Sequence, residues 1–162
     1  MFREMRRKKQ LLDHAVAEEI LTNGKTGILA VTGDDDYPYT VPLNYTYDNG
    51  MIYFHCAKAG HKLDSIRKNS KVSFCVIDND QIVPEKFTTF FRSVVAFGKA
   101  SEVESDSEKL RIMRLLNKKY APGLDEAGEK AIENEWKILC VVQIDVEHLT
   151  GKEAIELVKK HS

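Results

Sequence analysis

The stretch from Tyr39 to His55 constrains the fold more than any other part of the chain. From Tyr39 to Tyr47 the residues alternate, with Tyr39, Val41, Leu43, Tyr45 and Tyr47 on one side and Thr40, Pro42, Asn44 and Thr46 on the other. Strict alternation is the period of a strand with one buried face. Asp48-Asn49-Gly50 then provides the residues that a tight hairpin turn needs, because Asn and Gly tolerate positive φ. Met51 to His55 is the returning strand. Upstream, Ile28 to Thr32 is an apolar run rich in β-branched residues, closed by the turn Gly33-Asp34-Asp35-Asp36. Residues 28–55 therefore predict a three-stranded antiparallel meander.

More strands follow. Lys71 to Ile77, Thr88 to Val103 and Ile138 to Val146 all carry strand patterns, and Gly98 in the second marks a bulge or bend. Helical spacing occurs in residues 10–22 (ended by Asn23-Gly24), 61–69 (Leu63 and Ile66 inward), 106–119 (capped by Ser105 or Asp106), 129–136 and 152–160. Asp78 to Lys86 and Tyr120 to Gly128 read as loops. Short strands at hairpin spacing predict a mainly β fold, an antiparallel β-barrel, closed or partly closed, with helices at its ends. Regular β-α-β alternation and phosphate-loop glycine motifs are both missing, which argues against a Rossmann sheet.

The 162 residues fit one domain, with an N-terminal arm and helix over 1–23 and a C-terminal helix over 152–162. A formal net charge of −1 argues against nucleic acid as a partner. No run reaches the roughly 20 apolar residues of a membrane span, and Met1 to Arg7 lacks a secretion signal core, so the expected location is cytoplasmic. Cys56, Cys75 and Cys140 form no C-x-x-C pair, and the latter two sit in apolar runs as expected core residues. Residues 1–9 are basic; they read either as a solvated arm or as an arm reaching over an anionic site, on this chain or a partner subunit.

Four places carry possible chemistry. Gly60-His61-Lys62 opens a helix, where unpaired N–H groups, the dipole and cationic side chains seat an anion; a polar helix cap is the alternative. Pro42 interrupts a strand, so its segment is at an edge, at a bulge or facing a ligand, and Val41-Pro42-Leu43-Asn44 offers backbone groups and one amide to a flat polar heterocycle. His55 ends a strand close to Cys56 and His61; the reading as a pocket-lining residue is preferred over a metal ligand, and no metal site is assigned. Arg92-Ser93 is a polar step in an apolar strand, which turns Ser93 inward or toward a ligand if Arg92 faces solvent.

In order along the chain, Met5-Arg6-Arg7, Gly27-Ile28-Leu29-Ala30, Tyr37 to Tyr45, Ile52 to Ala57, Gly60-His61-Lys62-Leu63-Asp64, Asn69 to Phe74 and Ser93 to Gly98 resemble the pyridoxamine 5′-phosphate oxidase-related flavoproteins. The similarity is greatest to their Nim-type branch, named for nitroimidazole resistance. The resemblance implies the FMN-binding split β-barrel fold, antiparallel and of Greek-key type, and a homodimer with FMN sites at the subunit interface. It assigns Val41, Pro42, Leu43 and Asn44 to the isoalloxazine, His61 and Lys62 to the phosphate, and Ser93 to further FMN contacts. His55 is the catalytic candidate beside the flavin. Oxidase-type members carry Arg-Lys where this chain has His61-Lys62, which makes the seat pH-dependent. The C-terminal Arg/His substrate motif of true pyridoxamine phosphate oxidases is not found. The implied function is an FMN-dependent oxidoreductase using NADH or NADPH to reduce a small organic, nitroaromatic or other, substrate. The alternative is a non-catalytic flavin, deazaflavin or haem binder.

Overall fold

The structure, a computed structural model, describes residues 1–161 without the His161 side chain; Ser162, the end of the expected C-terminal helix, lies outside the described residues. Strands β1 (Gly27–Thr32), β2 (Pro38–Leu43), β3 (Thr46–Asp48), β4 (Met51–Ala57), β5 (Lys71–Val83), β6 (Thr88–Glu102) and β7 (Leu139–Glu153) form one antiparallel sheet. Their order is β2-β1-β5-β6-β7-β4-β3. β5 and β6 form a hairpin, β6 and β7 pair antiparallel across a connection that carries α3 and α4, and β4 lies beside β7, which gives a Greek-key strand order. The helices are α1 (His14–Asn23), α2 (His61–Lys68), α3 (Asp106–Tyr120), α4 (Asp125–Glu135) and α5 (Ile155–His161).

The meander expected over residues 28–55 is instead two hairpins. β1 pairs with β2 and β3 with β4, but the two pairs occupy opposite edges of the sheet. The alternation from Tyr39 breaks where Tyr45 and Thr46, consecutive residues, are both buried. Only residues 44 and 45 join the two edges, a span of at most about 11 Å. Edges held that close bend a seven-stranded sheet into a barrel, and because β2 and β3 do not pair, the barrel stays split. The Asp48-Asn49-Gly50 turn forms as expected, with positive φ at Asn49 (48°) and Gly50 (79°).

Tyr45 fills the split. Its ring packs edge-on against Phe74 with centroids 4.9 Å apart, and its hydroxyl donates to the Leu21 carbonyl. A Cβ at Gly24 would fall 2.5 Å from that hydroxyl, so the end of α1 needs glycine for close approach. Tyr120 accepts the Tyr45 N–H at 3.0 Å, and its hydroxyl lies 2.7 Å from the Lys25 carbonyl and 2.9 Å from that of Tyr45. Lys119 Nζ donates to the Tyr45 carbonyl at 3.0 Å and sits 4.1 Å above the Tyr45 ring. Burial lowers the Lys119 pKa from 10.5 to about 8.

Inside the barrel, Leu29, Ile52, Phe54, Phe74, Val76, Val94, Val142 and Ile144 meet Leu21 of α1 and Leu63 of α2. Burying each such side chain contributes roughly 1.5–3 kcal/mol. The other face of β4 and β7 carries Tyr53, Leu139 and Val141, which pack under Ile112, Met113 and Leu116 of α3 and Ile132 of α4.

Several boundaries differ from the sequence reading. Most of Asp78 to Lys86 is not a loop: β5 runs to Val83 and pairs with β6 through Val83 and Thr88. β7 continues to Glu153, so the C-terminal helix begins at Ile155 rather than at 152, and α4 begins at Asp125. The N-terminal arm lies along its own sheet. Phe2 stacks on His148 (4.8 Å) and Phe97 (5.5 Å), the buried Gln10 side chain donates to the Glu153 carbonyl at 2.9 Å, and the Leu12 N–H donates to the Gly151 carbonyl at 3.0 Å.

Tyr120→Phe leaves the Tyr45 and Lys25 backbone groups short of their partner, and urea unfolding is expected to show a loss of about 1–3 kcal/mol. Lys119 gives a separate test. Between about pH 8 and 10.5 the unfolded chain holds a proton that the folded chain has released, so stability rises with pH across that window. Urea midpoints measured from about pH 8 up to the onset of tyrosine ionisation near pH 10 should climb, and Lys119→Met should flatten the climb.

Candidate functional site

The anion seat forms where β4 gives way to α2. Gly60 takes φ 132°, a conformation that side chains resist, and no side chain caps the helix. The first helical bond runs from the Asp64 N–H to the Gly60 carbonyl at 3.1 Å, which leaves the preceding N–H groups of the first turn facing outward. The half-buried Lys62 has no carboxylate partner among the described residues. His61 is turned elsewhere. Its ring lies 4.2 Å from that of Tyr39, and its Nε2 is 3.9 Å from Asp34 Oδ2 and close against Gly33. Lys62 is thus the uncommitted cation of the pair, and His61 ties α2 to the start of β2.

Pro42 sits on an edge strand, as its missing N–H requires. The bond from the Gly33 N–H to the Tyr37 carbonyl (2.8 Å) sets the phase of the β1–β2 ladder. By alternation, Tyr39, Val41 and Leu43 bond to β1, while the backbone groups of Thr40, Pro42 and Asn44 point away from it. Proline therefore falls at a position where no ladder bond is lost. The side chains of Val41 and Leu43 pack against the barrel core, whereas Pro42 and Asn44 are exposed.

His55 shares the face of Tyr53 on β4 but lies past the cover of α3 and α4, and it is exposed. Its pKa is lowered from 6.5, first by desolvation; Glu135 opposes this and Lys62 adds to it. His55 and Lys62 therefore lie within electrostatic range at one end of the barrel. Ser93 lies on the outer face of β6, paired with Ile77 of β5 and Lys152 of β7. Arg92 does not simply point to solvent; it pairs with Asp78 at 3.3 Å. β1 and β5 separate β2 from β6, so three strand spacings, about 14 Å, stand between Pro42 and Ser93 within one chain. Among the described residues, no group of three or more His, Cys, Asp or Glu side chains could hold a metal ion.

The strand registers also place Ile28, Cys75 and Val95 in a row that runs from Pro42 across β1 and β5 to β6, where Ser93 is two residues from Val95. These residues are half-buried, and Ile77 beside them is 54% exposed. Cys75 is thus on an outer face rather than in the core, while Cys140 is buried as expected. A cleft of about 390 Å³ opens where Ile28 and Ile77 meet Lys25, Thr26 and Asp78. The sequence reading missed this face. Its signal was present in the apolar stretches Gly27 to Val31, Phe74 to Ile77 and Val94 to Phe97, because a strand apolar on both sides has both sides covered.

Residues 13–153 match the family model described as pyridoxamine 5′-phosphate oxidase. No curated protein matches the chain. Among solved structures, a candidate 5-nitroimidazole antibiotic resistance protein from Bacteroides thetaiotaomicron superposes with a TM-score of 0.72 at 22% identity, covering 88% of this chain and 86% of that one. An FAD-binding protein from Mesorhizobium loti gives 0.64 at 25% identity, over 90% and 97% of the two chains. An FAD and haem binding protein from Mycobacterium smegmatis gives 0.73 at 14% identity, over 95% and 80%. With an open seven-stranded sheet bent into a split barrel and a family match across most of its length, the chain belongs to the pyridoxamine 5′-phosphate oxidase-related family.

Proposed function

We propose that this protein binds FMN and acts as a flavin-dependent reductase of a small organic substrate, nitroaromatic compounds being one candidate class. The observation that carries the reading is the uncapped start of α2 with Lys62 unpaired beside it, a seat suited to a phosphate. The outward backbone of Thr40, Pro42 and Asn44 suits the polar edge of an isoalloxazine. His61 steadies the seat through its stack on Tyr39. The FAD-binding relatives support a flavin over other nucleotides.

The bound flavin would supply hydride acceptance from NADH or NADPH and electron delivery to the substrate. His55, its proton affinity reduced by desolvation, is neutral near pH 7 and suited to holding or passing one proton at the substrate. Ser93 lies three strands away from β2 within one chain. The proposed arrangement is a homodimer in which the outer face of one copy brings Ser93 to the site of the other. The half-buried row Ile28, Cys75 and Val95 supports that face as the contact. A carrier, sensor or store of flavin, deazaflavin or haem is the second reading, favoured by the relative that binds both FAD and haem.

The absorption spectrum of the protein as purified separates these readings. A flavin band bleached anaerobically by NADH or NADPH fits the reductase. A flavin that neither donor bleaches fits the binder, a Soret band fits haem, and a colourless protein that ignores added FMN rejects both. Lys62→Ala should weaken FMN binding by roughly 1.5–3 kcal/mol, about 10- to 150-fold in a fluorescence titration. Proton NMR should place the His55 titration below its ordinary 6.5, moving up in Lys62→Met and further down in Glu135→Gln.

A further inference from the structure

We propose that Cys56 and Cys140 form a redox-sensitive dithiol that closes into an intramolecular disulfide between β4 and β7 when a hydroperoxide is the oxidant. The two residues are direct partners in the antiparallel register, on the barrel-side face shared with Phe54 and Val142. Antiparallel partners have Cα atoms about 4.5–5.5 Å apart, inside the range a disulfide spans. Each thiol is close enough to the other to influence its ionisation. Cys56 is half-buried and open to a small oxidant, whereas Cys140 is only 7% exposed.

The surroundings supply the proton transfers. Cys140 Sγ donates to Glu102 Oε1 at 3.4 Å, and Arg67 holds that carboxylate with two bonds of 2.9 Å. Lys62 faces Cys56 from α2 and favours its thiolate. In the first step the Cys56 sulfur attacks hydrogen peroxide, the O–O bond breaks, and one water leaves behind a sulfenic acid. In the second, Cys140 yields its proton toward Glu102, and its sulfur displaces the sulfenic oxygen as a second water. Two thiols and one peroxide thus become one disulfide and two waters, with two electrons passing from sulfur to oxygen.

Burial raises both thiol pKa values, Cys140 to about 12, which makes this a slow stoichiometric site rather than a turnover centre. The bridge would lie just ahead of the turn into α2. It would also remove the thiol donor from Glu102, leaving Arg67 as that carboxylate's partner.

Intact-mass measurement after hydrogen peroxide treatment tests the proposal on the full chain. The expected result is loss of the mass of two hydrogens, a protease fragment joining the Cys56 and Cys140 peptides, and full reversal by dithiothreitol. Cys75→Ala should behave as the parent. Cys56→Ser and Cys140→Ala, each checked for folding by circular dichroism, should lose the cross-link. Oxygen added to Cys56 without a cross-link, a bridge through Cys75, or thiols that stay alkylatable after prolonged treatment would each overturn it.

Discussion

The structure depends on a link of two residues. Asn44 and Tyr45 carry the chain from one edge of a seven-stranded sheet to the other, and no sheet of that width can satisfy so short a link without curling. The curl creates the barrel interior that Phe54, Phe74 and their neighbours fill. It also leaves two unpaired edges side by side. Tyr45 occupies the gap, and the hydrogen bonds that a β2–β3 ladder would have made are replaced by side chains reaching in from α3. Tyr120 and Lys119 both bond the Tyr45 backbone. Because the seam is polar and partly buried, it is held by a few directional bonds rather than by area.

This explains what could be read from the sequence and what could not. Turn chemistry was legible: Asp48-Asn49-Gly50 and the Gly60 helix start both lie where the residues demand them. Periodicity gave strands and helices wherever one face is buried. It failed at Asn44, because alternation reports which way a side chain points and says nothing of which strand lies alongside. It failed again at Asp78 to Val83. That half of β5 pairs with β6 alone, beyond the reach of β1, so solvent meets it on most sides and its polar residues look like a loop. The second half of β7 was hidden for a related reason: Glu147 is exposed and His148, Leu149, Thr150 and Lys152 are only half-buried, so no clear apolar alternation marks the strand.

The candidate site was legible as residue types and not as geometry. Gly60, His61 and Lys62 could be singled out because a glycine and cationic residues open a helix, and Pro42 because a proline interrupts a strand. The division of labour between His61 and Lys62 was invisible, since it depends on Tyr39 and Asp34 arriving from another hairpin. So was the separation of Ser93 from Val41, Pro42, Leu43 and Asn44, which follows from strand order alone.

That separation gives the proposed dimer its physical logic. Within one chain the phosphate seat, the open backbone of β2 and His55 are all near the split, while Ser93 is several strands away on an outer face that is apolar and incompletely covered. The N-terminal arm shields one end of that face, where Phe2 stacks on Phe97 and His148, and leaves the end bearing Ile28 and Ile77 open. A flat, partly apolar ligand needs walls on both sides, and an edge strand supplies only one. A second copy placed against the uncovered row would bury Ile28, Cys75 and Val95 and supply the missing wall. In this arrangement cofactor binding and association share one surface and one favourable free energy. FMN affinity should then depend on protein concentration in the range where the copies separate, a linkage that a site complete within one chain would not show.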